Sequence, residues 1–479
     1  MNRLPEWDGV CNPVKMRESG TRARRGARFP GNGCSPLPNG TGVLSFEEVT
    51  LPLLAVLLLL SLRASFDDYL ERLNSEHVRA HRGHLPAVFR GIFDRATYAR
   101  ANDYTLARSR LHRLETLVES ALLAAALVFG LFPLVYEWLS SWLGYGVWGQ
   151  AVVLLALLLL LSLPGLPFSW YARFRLEEAY GFNRSSLGLW WSDKLKGLVL
   201  AFLLGVPLLA LILSIVVTFP ESWWIFAFAA VFGVQILLLI LYPILIVPLF
   251  NRLRPLEEGE LKDRLMALAD RTGFHAKTIQ VMDGSKRSGH SNAFFTGFGR
   301  FRRIVLFDTL LDQLRPEEIE AVLAHEIGHY RCGHIPKRIA LSAISLGFTF
   351  FFLQWLSAQA WFTAGFGFLV DPVGQGSLAR IVPAFFLFLV LSPLVSFWME
   401  PLSHALSRRH EYQADRFARE ALGSPGPLVS ALRTLYRENL GNLVPHPLYS
   451  RFHYSHPTLR EREQSLRGEG GEEVAAAGS

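Results

Sequence analysis

The chain has few cysteines and few charges for its length. Its three cysteines, Cys11, Cys34 and Cys332, are an odd and scattered set among 479 residues. They exclude a disulfide framework and a zinc site built from cysteines, and we expect Cys332 to be a small apolar helix residue rather than a nucleophile. Only 19% of the residues are charged, whereas 51% are hydrophobic. This balance leaves either two soluble domains or one polytopic membrane domain with attachments.

Long runs almost without charge decide between these classes. A helix of roughly 20 apolar residues crosses the roughly 30 Å hydrocarbon core of a bilayer. We predict such spans at roughly 43–62, 118–142, 147–169, 197–219, 223–250, 338–366 and 379–399. The first is the least clean, because it contains Glu47 and Glu48. The pattern predicts an all-α polytopic membrane protein with about seven transmembrane helices.

The net charge of +7 does not indicate a nucleic-acid partner, because the basic residues concentrate in particular links. Segment 63–116 carries ten arginines and segment 170–196 is also basic, whereas 217–224 and 367–378 contain no Lys or Arg. If the chain crosses the membrane seven times, all the basic links lie on one side. By the positive-inside rule, this side is the cytoplasm. Residues 1–42 are basic yet fall on the other side, and their Gly, Pro and Asn content predicts disorder.

The residues between and after the spans predict two further parts. Residues 251–337 are typical of a compact α/β insert, with a helix at 256–274 and strands at 278–284, 291–299 and 302–309. A second insert helix opens at Pro316 and is expected to end near Pro336. After the last span, helices are predicted at 404–422 and 428–440. The predicted divisions are a disordered extension (1–42), transmembrane helices 1 to 5 (43–250), the insert (251–337), transmembrane helices 6 and 7 (338–403), C-terminal helices (404–466) and a disordered tail (467–479).

The helix from Pro316 contains AVLAHEIGHYRCGH at 321–334. His325 and His329 are four positions apart, so both can ligate one tetrahedral zinc ion. Glu326 lies one step around the helix, where it can take a proton from an attacking water. Chance would place His-Glu-x-x-His in such a chain only roughly a few times in a hundred. The motif therefore predicts a zinc peptidase, against the alternative of an exposed helix end that carries two histidines.

A catalytic zinc usually takes three protein ligands. His334 is near but follows His329 by five residues, which does not fit the metzincin spacing. The better candidate is Glu411 in SRRHEYQADRFA, with Asp415 one turn later to orient a ligating histidine. His410 is a rival ligand, but it points about 100° away from Glu411 on a helix. The last two spans form a hairpin, which would return Glu411 to the side of the histidines.

Four further stretches extend the pattern along the chain. They are RFRLEEAYGFNRSSLGLWWSDKLKG (173–197), YPILIVPLFNRLRPLEEGEL (242–261), MDGSKRSGHSNAFFTGFGRFRRIVLFDTLL (282–311) and YSHPTLRER (454–462). Together with HEIGH and SRRHEYQAD, they make the chain resemble the type I CAAX prenyl proteases from about 43 to 466. The resemblance implies seven long helices around a large water-filled intramembrane chamber. It also implies a zinc site that caps this chamber on the cytoplasmic side.

The resemblance assigns the metal site residue by residue. It implies one zinc ion on three ligands, His325, His329 and Glu411. Glu326 matches the general base of the family, and Asp415 matches the carboxylate behind the ligands.

The resemblance also assigns residues to the substrate. Asn292 and Ala293 match the strand edge that pairs with an extended peptide, as a strand edge offers backbone donors and acceptors. His456 and Arg462 match positions thought to contact the substrate or the developing oxyanion, where a cationic or N–H donor is stabilising. Without the resemblance, Asn292 would be interpreted as a turn residue, and the other two as parts of a surface loop.

By resemblance, the chain hydrolyses peptide bonds and removes the C-terminal tripeptide of prenylated CAAX proteins. Two alternatives stay open: a quality-control protease of membrane proteins without a prenyl requirement, and a non-catalytic membrane scaffold or transporter. The intact His, Glu, His and distal Glu disfavour the last. We expect a monomer in membrane lipid, with a peptide or prenylated protein as its partner. The excess of Arg over Lys favours a bacterial inner membrane over the endoplasmic reticulum.

Overall fold

The protein is described by a computed structural model that covers residues 50–86, 89–90, 92–274, 278–291, 293–296, 303–368 and 377–468. Several predictions therefore lie outside the described residues. They are the disordered extension at 1–42, most of the tail at 467–479, the substrate residue Asn292, and two of the cysteines, Cys11 and Cys34.

The first half of the chain folds into apolar helices. They are α1 (Leu51–His81), α2 (Arg95–Val128), α3 (Leu131–Leu143), α4 (Val147–Ser162), α5 (Gly165–Tyr171), α6 (Leu187–Leu200), α7 (Val206–Thr218), α8 (Trp223–Leu241) and α9 (Val247–Phe250). Short π-helical turns continue α5, α6 and α8. Large apolar side chains such as Trp142 and Leu203 point outward, with 78% and 64% of their surface exposed. An outer surface of this kind is stable in lipid, where helices satisfy their own backbone polar groups.

Four helices among the described residues are long and apolar enough to cross a membrane, or up to six if each of two bent pairs counts as one span. The bends are 66° between α2 and α3, and 46° between α4 and the helix that ends at Glu177. Helix α1, which overlaps the first predicted span, is not among these candidates. Charges at Arg63, Asp67 and Asp68 interrupt its apolar part. The multi-pass helical class is as predicted, and among the described residues length and composition support up to six of the roughly seven predicted spans.

The insert contains a four-stranded sheet of order β1-β2-β4-β3. Its strands are β1 (Leu253–Pro255), β2 (Thr278–Met282), β3 (Ala293–Thr296) and β4 (Arg303–Phe307). The pair β2 and β4 is parallel, and the other two pairs are antiparallel. The three predicted strands are present, and β2 and β4 end earlier than predicted. Strand β1 was not predicted, because its three residues follow a membrane helix directly and show no alternation of apolar and polar side chains.

The remaining helices build the insert and return the chain to the membrane. They are α10 (Glu260–Arg271), α11 (Asp308–Gln313), α12 (Pro316–Arg331), α13 (His334–Ser357), α14 (Ala360–Ala364), α15 (Leu378–Ser396), α16 (Glu400–Leu422), α17 (Gly426–Glu438), α18 (Pro447–His453) and α19 (Leu459–Arg467). Helices α13 and α16 run across the predicted divisions at 337 and 403, because a membrane helix does not end where its apolar run ends. A 3-10 turn, Phe397–Met399, links α15 to α16.

One predicted helix end was wrong. The helix that carries HEIGH was expected to reach Pro336, but α12 ends at Arg331. Gly333 adopts a left-handed φ of 68°, which breaks the helix, and α13 starts at once with His334. Pro336 then lies in the first turn of α13, where a proline is tolerated because its missing N–H would have no partner. The break determines where His334 lies.

Two apolar cores support these elements. The larger lies among the membrane helices and includes Leu154 on α4, Leu213 on α7 and Phe386 on α15. The second lies beneath the sheet, where β4 packs with α10, α12 and α17. Because α12 contributes to the second core while α16 continues from a membrane helix, the contact between α12 and α16 joins the insert to the membrane part.

Candidate metal and peptidase site

Helix α12 has an N-terminus that is well determined by local chemistry. Pro316 occupies the first turn, and the backbone N–H of Arg315 donates to Glu318 Oε2 at 2.9 Å in a capping box. Ile319 and Leu323 then recur at helical spacing and are buried in the insert core. This packing turns the opposite face of the helix, with the two motif histidines, toward α16.

Gly328, inside the HEIGH motif, allows α12 and α16 to approach closely. A Cβ at this position would lie 2.9 Å from both Cα and O of Ala414, and 3.2 Å from Cβ of Phe417. Real Cβ atoms essentially never make such contacts, so any larger residue would move the helices apart. The sequence alone did not single out Gly328 or Ala414, since the partner of each lies on a distant helix. Their contact sets the distance between the predicted ligands.

The close approach brings His325, His329 and Glu411 together, and they form the one group of three or more possible ligands found in the part of the chain that the structure describes. The two histidine Nε2 atoms are 3.2 Å apart. Glu411 Oε2 is 3.4 Å from His325 Nε2, and Oε1 is 3.3 Å from His329 Nε2. Ligands that hold a tetrahedral ion at 2.0–2.1 Å lie about 3.3 Å from one another.

The donor set fits a divalent metal in a second respect. Glu411 Oε2 is buried and accepts no hydrogen bond among the described residues. Burial lowers the pKa of His325, but its contact with Asp415 and the nearby Glu411 carboxylate outweigh burial and raise the pKa to about 9. The buried carboxylates thus favour a positive charge at the histidine, which a proton or a metal ion can supply. A proton and a metal compete for the same nitrogen, so metal affinity falls at low pH.

Asp415 lies next to His325, on the side away from the ligand cluster. Its Oδ1 atom is 2.8 Å from His325 Nδ1, which leaves Nε2 directed at the ligand cluster. Arg462 in turn forms a two-pronged contact with the carboxylate, through Nε to Oδ2 at 2.8 Å and Nη2 to Oδ1 at 2.5 Å. Both side chains are buried. Arg462 was predicted to contact substrate or oxyanion, and its closest contacts here are with Asp415.

Glu326 and His456 lie at the accessible side of the cluster. Glu326 is partly exposed on the same helix as the two histidines. Burial raises the pKa of this carboxyl above its usual value, which makes it a stronger proton acceptor than a solvated glutamate. His456 Nε2 lies 3.5 Å from Glu411 Oε1, with 63% of its side chain exposed. Both are therefore placed where a bound peptide could reach them.

The predicted substrate edge is represented by Ala293, the first residue of β3. Ala293 pairs with Leu306 in the antiparallel ladder, and β3 is the last strand in the sheet order. Strand β3 packs near α12, so the strand and the ligand helix belong to one region. The neighbouring Asn292 lies outside the described residues.

The other histidines and the cysteine of this region are not among the clustered ligands. His334 contacts His329 through the nitrogen that faces away from the cluster, at 2.9 Å between Nδ1 atoms. The rival ligand His410 stacks on His334, with ring centroids 4.0 Å apart. Cys332 is partly exposed at the C-terminus of α12.

Comparison with known proteins matches both parts of this architecture. Residues 74–252 match the family model described as "CAAX prenyl protease N-terminal, five membrane helices". Residues 255–470, which contain the insert and the ligand cluster, match peptidase family M48. The chain belongs to this family of membrane proteases.

Full-length relatives agree with the family assignment. CAAX prenyl protease 1 of Saccharomyces cerevisiae is 38% identical over 423 residues, which cover 84% of this chain and 92% of the relative. The human CAAX prenyl protease 1 homolog is 33% identical, over 80% of this chain and 89% of its own length. The crystal structure of S. mikatae Ste24p matches with a TM-score of 0.82 and 35% identity, over 87% of this chain and 99% of that chain.

These matches confirm the predicted family and the helical membrane fold. They also confirm that this M48 family member is a multi-pass membrane metalloendopeptidase. The number of matched membrane helices, five in the N-terminal part, is consistent with further spans in α13 and α15.

Proposed function

We propose that the protein is a zinc-dependent endopeptidase that removes the C-terminal tripeptide of prenylated CAAX proteins. The observation that carries the proposal is the triangle of His325, His329 and Glu411, whose ligand atoms are spaced 3.2 to 3.4 Å apart. The names of the relatives support the substrate class, since they are CAAX prenyl proteases. The same three residues are the ligands expected from the sequence.

Each protein group has a role that follows from its position. A zinc ion on the three ligands would polarise the scissile carbonyl and acidify an attacking water. Glu326 takes the proton of that water and transfers it to the leaving amine. Asp415 holds the Nδ1 proton of His325, so that this histidine presents Nε2 to the metal. Strand β3, which starts at Ala293 and packs near α12, is the proposed pairing partner of the extended peptide.

His456 and Arg462 have different environments, and this separates their proposed roles. His456 is exposed beside Glu411, so it is the better placed of the two to donate a proton or hydrogen bond to the oxyanion. Arg462 is buried against Asp415 and also lies 3.8 Å from Glu411 Oε2 and 3.3 Å from His325 Nδ1, so its positive charge acts on the ligand cluster. A direct contact between Arg462 and substrate stays a prediction.

We further propose that the active site faces the cytoplasm, which the basic links at 63–116 and 170–196 support through the positive-inside rule. The predicted division of the chain into membrane helices, insert and C-terminal helices stays part of this proposal. A monomer in lipid and location in a bacterial inner membrane also stay predictions.

The substitution Glu326→Gln tests the reaction. The purified variant should bind one zinc ion, as the wild type does, but should lose cleavage by at least about a hundredfold, because a general base contributes roughly 10²–10⁴ in rate. Glu420→Gln is the matched control, since Glu420 is an exposed acid on α16. The enzyme proposal fails if the wild type binds no zinc or if the Glu326 variant cleaves normally.

A pair of peptides tests the substrate. The wild type should cut a farnesylated CAAX peptide and leave its unprenylated counterpart largely intact. Equal cleavage of both peptides would support a quality-control protease instead. Cleavage of the unprenylated peptide alone would overturn the prenyl assignment while leaving the zinc chemistry in place.

A further inference from the structure

His334, the last residue of the AVLAHEIGHYRCGH stretch, has three close partners and no assigned role. It is the first residue of α13 and is 2% exposed. Its Nδ1 atom lies 2.9 Å from Nδ1 of His329, and its Nε2 atom lies 2.8 Å from Oε1 of Gln413 on α16. Its ring stacks on that of His410, with an angle of 16° between the planes. His334 is thus held on both ring nitrogens and one face.

These contacts determine where the protons lie. The amide oxygen of Gln413 can only accept, so His334 donates from Nε2–H. A neutral His334 then has a lone pair on Nδ1, which accepts the Nδ1–H of His329. His329 is left with a lone pair on Nε2, and this atom faces His325 and Glu411.

The reverse arrangement conflicts with metal binding. If Gln413 presented its NH₂ group, His334 would accept at Nε2 and donate from Nδ1–H. His329 would then accept at Nδ1 and carry its proton on Nε2, where it would point into the ligand cluster. A ligating histidine needs a lone pair there. The direction from His329 through His334 to the oxygen of Gln413 is therefore the one that leaves the cluster open to a cation.

We propose that His334 and Gln413 are positioning residues that hold His329 in the tautomer and orientation required of a metal ligand. The inference rests on the proposed zinc site and extends it. The two ligand histidines are oriented by different means: His325 by the charged Asp415, and His329 by a neutral chain of two hydrogen bonds. The left-handed Gly333 makes this possible, because it interrupts the helix between α12 and α13 and so allows His334 to contact His329.

The fold explains why spacing alone could not assign this role. His334 follows His329 by five residues, which excludes it from the same helical face if the helix continues. The helix instead ends at Arg331, and Gln413 comes from a helix about eighty positions away in the sequence. A ligand search by spacing rejects His334 correctly, but cannot detect a residue that acts through a ligand.

Zinc affinity of the full-length protein in detergent, measured by competition with a chelator, tests the proposal. His334→Leu fills a similar volume without an acceptor and should weaken zinc binding by about ten- to a hundredfold, the usual effect of losing an orienting partner. His334→Asn can still present an oxygen to His329 Nδ1–H and should recover most of the affinity. The matched control is His84→Leu, since His84 is an exposed histidine far along the chain.

Gln413 provides a second and independent arm, because it is exposed and its replacement does not disturb a core. Gln413→Leu should weaken zinc binding in the same direction as His334→Leu, whereas Gln413→Glu keeps an acceptor for His334 Nε2–H and should retain tight binding. Melting of each zinc-free variant, followed by circular dichroism, reports on folding separately.

The outcomes distinguish failure of the proposed zinc site from failure of the positioning role of His334. If the wild type binds no zinc, the proposed function fails. If the wild type binds zinc and His334→Leu binds it equally well, the positioning role is overturned. The role is also overturned if the Leu and Asn variants lose affinity equally and both lower the melting temperature of the zinc-free protein, since His334 would then act only by packing.

Discussion

Two regions of the molecule serve the proposed reaction in different ways. Around the pair of α12 and α16, charges are buried: Asp415 of α16 is 1% exposed, and its partner Arg462 on the neighbouring α19 is 7% exposed. Residues 285–291, here called the anchor segment, lead into β3 and use partly exposed groups, with 34% of the His290 side chain and 18% of the Arg287 side chain exposed. A lost contact should therefore cost more in the helix pair, where no water can replace it.

The anchor segment is attached to the link between α5 and α6 and to the C-terminal end of α17 by several moderate contacts. The His290 ring stacks on the Phe182 ring, with their centroids 4.0 Å apart. Its Nε2 atom is 3.1 Å from Glu177 Oε2, and its Nδ1 atom is 3.1 Å from Asn439 Oδ1. The Ser291 N–H also donates to Asn439 Oδ1, at 3.2 Å. The proposed chemistry therefore depends on a close-packed helix pair, whereas the strand proposed to bind the peptide depends on several replaceable contacts.

The largest effect is expected for Arg462→Ala. It removes the charge that compensates Asp415, and breaking a buried ion pair costs about 3 kcal/mol or more in the free energy of unfolding. Denaturant unfolding of the detergent-solubilised protein measures this. Arg460→Ala, at an exposed position on the same helix, should change the stability by less than about 0.5 kcal/mol. Equal stability of the two variants would remove the contrast between the regions.

A smaller loss is expected for Gly328→Ala. The added methyl group would meet Ala414 at 2.9 Å and push α12 from α16, with a cost of about 1–3 kcal/mol for overpacking. The same displacement should weaken zinc binding, because Glu411 moves with α16. The control is Gly233→Ala on α8, where no atom lies within 4 Å of the place that the added methyl group would take. That variant should be neutral or more stable, since alanine favours a helix by up to about 1 kcal/mol.

A kinetic effect without loss of zinc is expected for His290→Ala. Losing its hydrogen bonds, each worth about 0.5–1.5 kcal/mol, should raise KM for the peptide roughly two- to tenfold and leave kcat nearly unchanged. Asn439→Asp keeps the oxygen that accepts from Ser291 N–H and should behave closer to the wild type. A fall in kcat with constant KM would show that the anchor segment serves the chemical step instead.

The smallest effect is expected at Tyr104, which contacts Glu177, a hydrogen-bond partner of His290. The Tyr104 hydroxyl donates to Glu177 Oε1 at 2.6 Å, while His290 uses the other oxygen of the same carboxylate. Tyr104→Phe should therefore change KM by less than about twofold, below the net worth of one direct hydrogen bond. A larger effect than that of His290→Ala would mean that Glu177, rather than His290, controls the position of β3.

Several features were predictable because they depend on neighbours in sequence. The apolar runs predicted a multi-pass helical protein, and the Pro316 start placed HEIGH on a helix, as the comparisons and the structure bear out. The prediction of Glu411 as a ligand, which combined the choice of a carboxylate with the return of the chain through a hairpin, stays a prediction, although the structure brings this residue next to the two histidines. By contrast, the short β1 and the helix break at Gly333 gave too weak a local signal.

The sequence by itself determined the class of protein and the types of candidate ligand. Both depend on the spacing of residues on one helix and on the length of an apolar run, which are local properties of the chain. Only the tertiary structure decided how those ligands are held. Gly328 acts by the space it leaves to Ala414, and His334 acts through hydrogen bonds to His329 and Gln413. Such roles depend on atomic distances between separate helices, which no spacing along the chain can specify. The site therefore required close packing of two helices, in addition to the motif on one of them.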